Sequence, residues 1–316
     1  YTVEVQFVDP ELNYSEPTRL VIEVTPPPFL QSRTFFSLIA FLAIVALGGG
    51  GTQTIKGLQQ RREISEYRSM AVQELEDAHN IQLDLIPETP PETPKFEFAG
   101  TCLPASEVGG DFFDYIVHED NADIGVAIAD VSGKRMQGAM NAVMTNGVLH
   151  MAAREENSQS PTHIVEKVNS ILSTRMKQDT NVTMIFGFLN SEDQTFNFVN
   201  AGHHAYPILV RNKTVERLEH FGFPLGMKHP IEYQARQIQL QPGDLVILMT
   251  DGIIEPIDEN GIMYADTDKL DKLLSNLPNH VPLNGIIDQI INDATKHAGN
   301  TQQQDDITVI AIRATA

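Results

Sequence analysis

The sequence carries a single cysteine, Cys102, so no internal disulfide framework and no cysteine-based zinc cluster can be built from it. Free cysteines are most often buried, and Cys102 reads as a structural thiol in a strand-like run. Basic side chains are also scarce, with 22 Lys plus Arg against 42 Asp plus Glu and a formal net charge of −20. That balance argues against nucleic acid as a partner, because phosphate backbones are held by clustered cations. It suits a cation site or a basic protein partner. No charged residue occurs from Thr34 to Ile55, and no internal repeat is present. The chain opens on Tyr1 and not on Met, inside a strand-like pattern, which reads as a fragment of a longer protein.

A chain of 316 residues has room for two domains. Tyr1 to Val8 alternates apolar and polar residues, and Arg19 to Val24 forms a second such run before Pro26-Pro27-Pro28-Phe29. Two strands are not stable alone in water, so residues 1–30 are expected to be the last hairpin of a β-sandwich. The centre of the uncharged stretch, Phe35 to Leu47, is strongly apolar, and residues 34–55 are expected to be a transmembrane helix, since about 20 apolar residues span a bilayer. Arg33 precedes it; Lys56, Arg61, Arg62 and Arg68 follow, which places the C-terminal side in the cytoplasm of a single-pass inner-membrane protein. Residues 56–86 are expected to be a linker helix. Ile64, Tyr67, Ala71, Leu75, Ala78, Ile81 and Leu85 recur in steps of three or four, a short seam suited to a parallel homodimer. Residues 87–94, Pro-Glu-Thr-Pro-Pro-Glu-Thr-Pro, form a stiff linker.

From Lys95 onward the pattern is α+β. Strands are predicted at Phe96–Leu103, Asp111–His118, Ile124–Val131, Val182–Asn190, Phe196–Ala201, Tyr206–Val210, Ala235–Leu240, Leu245–Thr250 and Ile307–Ala314. Helices are predicted at Met136–Arg154, Thr162–Met176, Thr267–Leu277 and Leu283–His297. Mostly turns separate successive strands, so the sheets should be largely antiparallel. Acids stand at the edges of four apolar runs: Asp111, Asp130, Asp251 and the pair Asp305-Asp306. Carboxylates gathered from distant parts of a chain suggest a site for hard cations, which take oxygen ligands and suit Mg2+ or Mn2+ better than Zn2+. His203-His204 reads as structural for the same reason.

Several motifs occur in a fixed order: Pro104-Ala105-Ser106-Glu107-Val108-Gly109-Gly110-Asp111, Ala129-Asp130-Val131-Ser132-Gly133-Lys134, Asn200-Ala201-Gly202-His203, Pro224-Leu225-Gly226, Thr250-Asp251-Gly252-Ile253-Ile254-Glu255 and Asp305-Asp306-Ile307-Thr308. Together they resemble the SpoIIE-type branch of the metal-dependent type 2C protein serine/threonine phosphatases, over residues 95–316. The pattern of residues 1–30 resembles the end of a three-tyrosine extracellular sensor domain of bacterial membrane proteins.

The phosphatase resemblance implies an αββα sandwich of two mainly antiparallel sheets flanked by helices. It implies two Mn2+ or Mg2+ ions, bridged by Asp130, with the Val131 carbonyl on one ion, Asp251 and Asp305 on the other, and Asp111 orienting the attacking water. Asp306 adjoins Asp305, and spacing alone does not choose between them; Asp305 holds the first place in the family's Asp-x-(Ile/Met)-Thr run. Two such ions activate water and clamp the phosphoryl oxygens. The chain departs from the pattern at Arg135, where glycine is usual after Lys134. Ser132 stands where many eukaryotic type 2C enzymes have histidine, so the leaving-group acid is unassigned. The implied substrate is a phosphorylated STAS-type antagonist of an anti-sigma factor. The competing readings are a catalytically inactive partner-binding module and a phosphoesterase of small metabolites.

Overall fold

The computed structural model describes residues 1–11, 14–24, 32–83, 86–117, 123–133, 136–155, 160–177, 179–278 and 281–316, without side-chain placement at 47–59, 71, 74–81 and 83. The predicted positions His118, Lys134, Arg135, Leu85 and Pro26 to Phe29 therefore lie outside the described residues. The chain divides into two compact units, Tyr1–Ala71 and Val72–Ala316.

In the first unit, β1 (Thr2–Val5) and β2 (Thr18–Val21) form an antiparallel hairpin with Thr2 opposite Val21. Its side chains are exposed on both faces. Helix α1 runs without interruption over Arg33–Leu83, so the membrane segment and the linker helix expected as separate elements are one helix. Phe36, Leu38, Ile39, Phe41, Leu42 and Ile44 along its early turns are exposed, as are Ile64 and Tyr67 of the seam. Among the described residues no helix is long and apolar enough to cross a membrane.

The second unit holds two five-stranded antiparallel sheets. The first contains β4 (Phe112–Val117), β5 (Asp123–Val131), β6 (Val182–Asn190), β7 (Thr195–Ala201) and β10 (Arg236–Gln239), in the order β10-β7-β6-β5-β4. The second contains β3 (Phe96–Leu103), β8 (Ile208–Arg211), β9 (Thr214–Arg217), β11 (Leu245–Met249) and β12 (Ile307–Ala314), in the order β3-β12-β11-β8-β9. The helices are α2 (Met136–Ala153), α3 (Pro161–Arg175), α4 (Asp251–Ile254), α5 (Lys269–Ser275) and α6 (Leu283–Ala298).

Strand side chains alternate between faces, and here both faces are covered. On β5, Ile124, Val126 and Ile128 enter the central core, where they meet Leu248 of β11 and Ile310 and Ile312 of β12. The intervening Ala127, Ala129 and Val131 face outward onto α2 and α3 through Ala142, Leu149, Val165 and Leu172. On β12, Val309 and Ala311 point the other way, onto Ile286, Ile287 and Ile290 of α6. The result is helix, sheet, sheet, helix, as the phosphatase resemblance implied. Each of the core Val, Leu and Ile side chains contributes roughly 1.5–3 kcal/mol by leaving water.

Most predicted strands recur within two residues of their expected ends. The edge strand β9 was not anticipated, and α5 is shorter than predicted, preceded by a 3-10 turn at Tyr264–Asp266. Leu248 is completely buried between the sheets. Leu248→Ala is expected to lower unfolding free energy by about 2–5 kcal/mol in urea titration, the range for a cavity in a packed core.

Candidate active site

The two sheets bring the sequence-distant acids to one end of the sandwich. Asp130 is the penultimate residue of β5, opposite Thr183 of β6. Asp251 opens α4 directly after β11, and Asp305-Asp306 lead into β12, the hydrogen-bonded neighbour of β11. Asp111 sits just before β4, at the end of the chain's crossing from β3 in one sheet to β4 in the other.

Neutral donors hold these carboxylates in place. Thr250 and Thr308, both fully buried, donate their hydroxyls to Asp111 Oδ2 at 2.7 and 2.8 Å. The Thr308 N–H in turn donates to Thr250 Oγ1 at 3.0 Å. Asp306 accepts the N–H groups of Ala105 at 2.8 Å, of Gly110 at 2.6 Å and of Asp111 at 3.3 Å. Its buried carboxylate thus pins the Gly109-Gly110 loop and is filled by main-chain donors on both oxygens. Asp305 is exposed, and Oδ1 accepts the Asp306 N–H at 2.9 Å. The identical neighbours expected to compete for one role have different environments: Asp306 anchors a loop, and Asp305 faces the cleft.

Two glycines make the close approaches possible. A Cβ at Gly110 would lie 2.4 Å from the Val131 carbonyl oxygen, and one at Gly252 would lie 2.0 Å from the Asp306 carbonyl oxygen. Any side chain at 110 would therefore cover the carbonyl expected to serve as a ligand.

His203 braces the same end. Its buried ring donates Nε2–H to the Met249 carbonyl at 2.8 Å, and Nδ1 accepts the Thr183 hydroxyl at 2.9 Å. Burial pulls its pKa down to about 4, so it stays neutral. It links β6, beside Asp130, to β11, beside Asp251, and acts structurally. Ser132 is likewise engaged: its hydroxyl donates to the Asn181 carbonyl at 2.8 Å and accepts the Asn181 N–H at 2.7 Å. Cys102 is half-buried, its thiol pushed up to about 12 by burial and by Asp111. Gln82, near the end of α1, has a buried amide that pairs with both sides of Gly109: Nε2 donates to its carbonyl at 2.6 Å, and Oε1 accepts its N–H at 2.9 Å.

The acids act strongly on one another. Burial, then Asp251, Asp305, Asp306 and Glu255, push Asp130 up to about 7. Burial, then Asp305 and Glu255, push Asp251 up to about 6. Burial and Asp130 raise Asp111 well above the usual carboxylate range. Glu255 was quoted in a motif but given no role; it belongs to this cluster. The donor set is carboxylate oxygen with one nearby carbonyl, which fits a hard divalent cation. Among the described residues no three His, Cys, Asp or Glu side chains form a closed cage for one ion. Mg2+ needs no such cage, since it binds through one or two carboxylates and keeps several waters.

A two-sheet sandwich with outer helices and clustered acids where strands of both sheets end defines the type 2C class of protein phosphatase folds. The chain belongs to the SpoIIE family within it: the family model for stage II sporulation protein E (SpoIIE) matches residues 120–315. Among curated relatives, the phosphoserine phosphatase RsbU of Bacillus subtilis (strain 168) is 27% identical over 294 residues, covering 90% of this chain and 82% of RsbU. Among solved structures, the SiaA-PP2C domain of Pseudomonas aeruginosa superposes with a TM-score of 0.68 at 20% identity, covering 78% of this chain and 98% of that one. RsbX in complex with magnesium superposes with a TM-score of 0.52 at 17% identity, covering 71% of this chain and 98% of that one. These structures share the fold.

The raised carboxylates fix the sign of a stability effect. A carboxylate with a folded pKa near 7 holds its proton where the unfolded chain, at ~4, has released it. Cation-free protein is therefore expected to lose stability as pH rises from about 4 to about 7, read as a falling Tm. Asp130→Asn should flatten that slope, raise the Tm of the cation-free protein near pH 7.5, and weaken Mn2+ binding in calorimetry. An unchanged slope in the variant would place the effect elsewhere.

Proposed function

We propose that this chain is a membrane-tethered, metal-dependent phosphatase that hydrolyses phosphoserine or phosphothreonine on a cytoplasmic regulatory protein. The observation that carries the reading is the gathering of Asp111, Asp130, Asp251 and Asp305 at one end of the sandwich, where their crowding calls for cations. In this reading Asp130, the Val131 carbonyl, Asp251 and Asp305 would hold two Mn2+ or Mg2+ ions. Asp306 supports them by holding the glycine loop. Bound ions would supply Lewis acidity toward the phosphoryl group and an activated water. Asp111, fixed by Thr250 and Thr308, orients the attacking water through the carboxylate oxygen that those hydroxyls leave. No side chain is assigned to protonate the leaving oxygen, since Ser132 is tied to Asn181.

The substrate class rests on membership of the SpoIIE family and on the phosphoserine phosphatase named among its relatives. A STAS-type antagonist of an anti-sigma factor is the partner that the resemblance implies. Membrane tethering rests on the uncharged stretch from Thr34 to Ile55 and the exposed apolar side chains at the start of α1. Dimerisation rests on the seam along the same helix, which is short and includes two alanines, a pairing weak enough to switch. The bond between Gln82 and Gly109 gives such a switch a route to the loop that carries Asp111.

With saturating Mn2+, Asp130→Asn and Asp251→Asn should each lower phosphoprotein turnover at least ~100-fold with the fold intact by circular dichroism. Zn2+ alone should support little turnover. Full activity in either variant would overturn the assignment of Asp130 and Asp251 as metal ligands, and no turnover in the unaltered chain would favour the inactive module. The fragment from Lys95 should be poorly active, and a parallel coiled coil fused in register before Ile64 in the longer chain should raise turnover. A fusion shifted by half a helical turn should not. Equal turnover in all three would reduce the helix to a tether.

A further inference from the structure

A cavity of about 390 Å3 opens against the carboxylate cluster, on the side of α6. Gly252, Glu255 and Asp305 belong to its lining and to the site just described. Part of its lining is apolar: Ala294 and Ala298 of α6, Ile307 of β12, and Ile257 and Met263, which pair across a short β-bridge. Its far rim is the segment from Thr301 to Gln304, uncharged and amide-rich. That rim is held in place, since Gln303 Nε2 donates to the carbonyls of Leu103 and Asp305 at 2.9 Å each. A preformed concavity of this size with a partly apolar lining and a few polar groups at its mouth is the usual form of a specificity pocket.

The phosphatase reading tells which occupant reaches it. A phosphoserine whose phosphate lies among Asp130, Asp251 and Asp305 carries its own polypeptide on past those side chains, and an extended chain advances about 3.3–3.6 Å per residue. Residues within three positions of the phosphorylated one are thus delivered to the cavity that shares Asp305 and Glu255 with the site. The Glu255 carboxylate, which is not assigned to an ion, repels acidic side chains, and the apolar part of the lining offers no partner to a polar one. We propose that this pocket receives one apolar side chain of the phosphoprotein substrate, within three residues of the phosphorylated serine or threonine, and so selects among phosphoproteins. The inference rests on the phosphatase reading and deepens it.

The test uses the full chain with Mn2+ and a set of phosphoserine peptides. Each peptide carries one leucine at a position from three before to three after the phosphoserine, in an otherwise alanine background. Leucine at one position should raise kcat/KM about tenfold over the all-alanine peptide, the scale of one apolar side chain entering a pocket. Leucine replaced there by aspartate should bring it below the alanine value. Ala298→Leu fills the apolar part, and Thr295→Phe, from an exposed position on α6, fills the mouth. In either variant the leucine-to-alanine ratio, taken within that variant, should fall to about one. A ratio near one at every position in the unaltered chain, or a leucine preference that survives in both variants, overturns the pocket assignment while leaving the phosphatase reading in place. Failure to hydrolyse any of the peptides and an aryl phosphate alike overturns both.

Discussion

The site depends on a cross-tie between the two sheets made by Asp111 and Asp306. The chain leaves β3 in one sheet, turns through Gly109-Gly110 and enters β4 in the other. Asp306, from the start of β12, accepts three N–H groups of that crossing, and Asp111, at its end, accepts two hydroxyls from the starts of β12 and the end of β11. Asp306 is thus stabilised by main-chain donors of the crossing, and Asp111 by hydroxyls at the ends of β11 and β12. Hydrogen bonds to an ionised acceptor contribute about 1.5–3 kcal/mol each, more than neutral ones. Such bonds let the fold bring like charges together, with no Lys or Arg among the described residues acting on Asp130 or Asp251, and a cation can then satisfy the charge that remains.

The glycines and His203 serve the same arrangement. Gly110 and Gly252 are needed because carbonyl oxygens of Val131 and Asp306 occupy the space of a side chain. His203 closes the gap between β6 and β11 with one donor and one acceptor, which a neutral imidazole supplies and a charged one does not. Burial keeps it neutral, so the brace holds across the pH range in which the acids of the cluster titrate.

The strands were legible in the sequence because both sheets are covered on both faces, while the sandwich of two sheets was what the family resemblance implied. Runs such as Ile124–Ala129 and Val309–Ile312 are apolar, and mostly turns separate the strands, so strand identity and largely antiparallel sheets could be read from pattern. Strand β9 was not legible: Thr214–Arg217 is a mostly exposed edge with one partly covered valine. Its turn is made by Asn212 and Lys213, both at positive φ, without the glycine that usually marks it. The acids of the cluster were legible by their place at strand ends. The division of labour between Asp305 and Asp306 was not, because it is set by which carboxylate meets the N–H groups of residues 105, 110 and 111, some 200 positions away. Thr250 and Thr308 went unassigned for the same reason. A threonine in a strand is ordinary until its partner on the opposite sheet is known.

Gln82 extends the cross-tie beyond the sandwich. Its amide reads both the N–H and the carbonyl of Gly109, so it is matched to a peptide unit and not to a side chain. Gly109 is followed by Gly110, whose N–H is held by Asp306 and whose α-carbon lies against the Val131 carbonyl. The next residue is Asp111. A helix displacement that broke the amide pair would leave a buried N–H and carbonyl without partners, at a cost of about 1–3 kcal/mol each. That cost would fall on the two glycines of the loop, which have no side chains of their own to re-form packing. The glycines that permit the close approach of the backbone to the acids therefore also expose a peptide unit that Gln82 can pair with, so one short segment joins α1 to the residue that precedes β4.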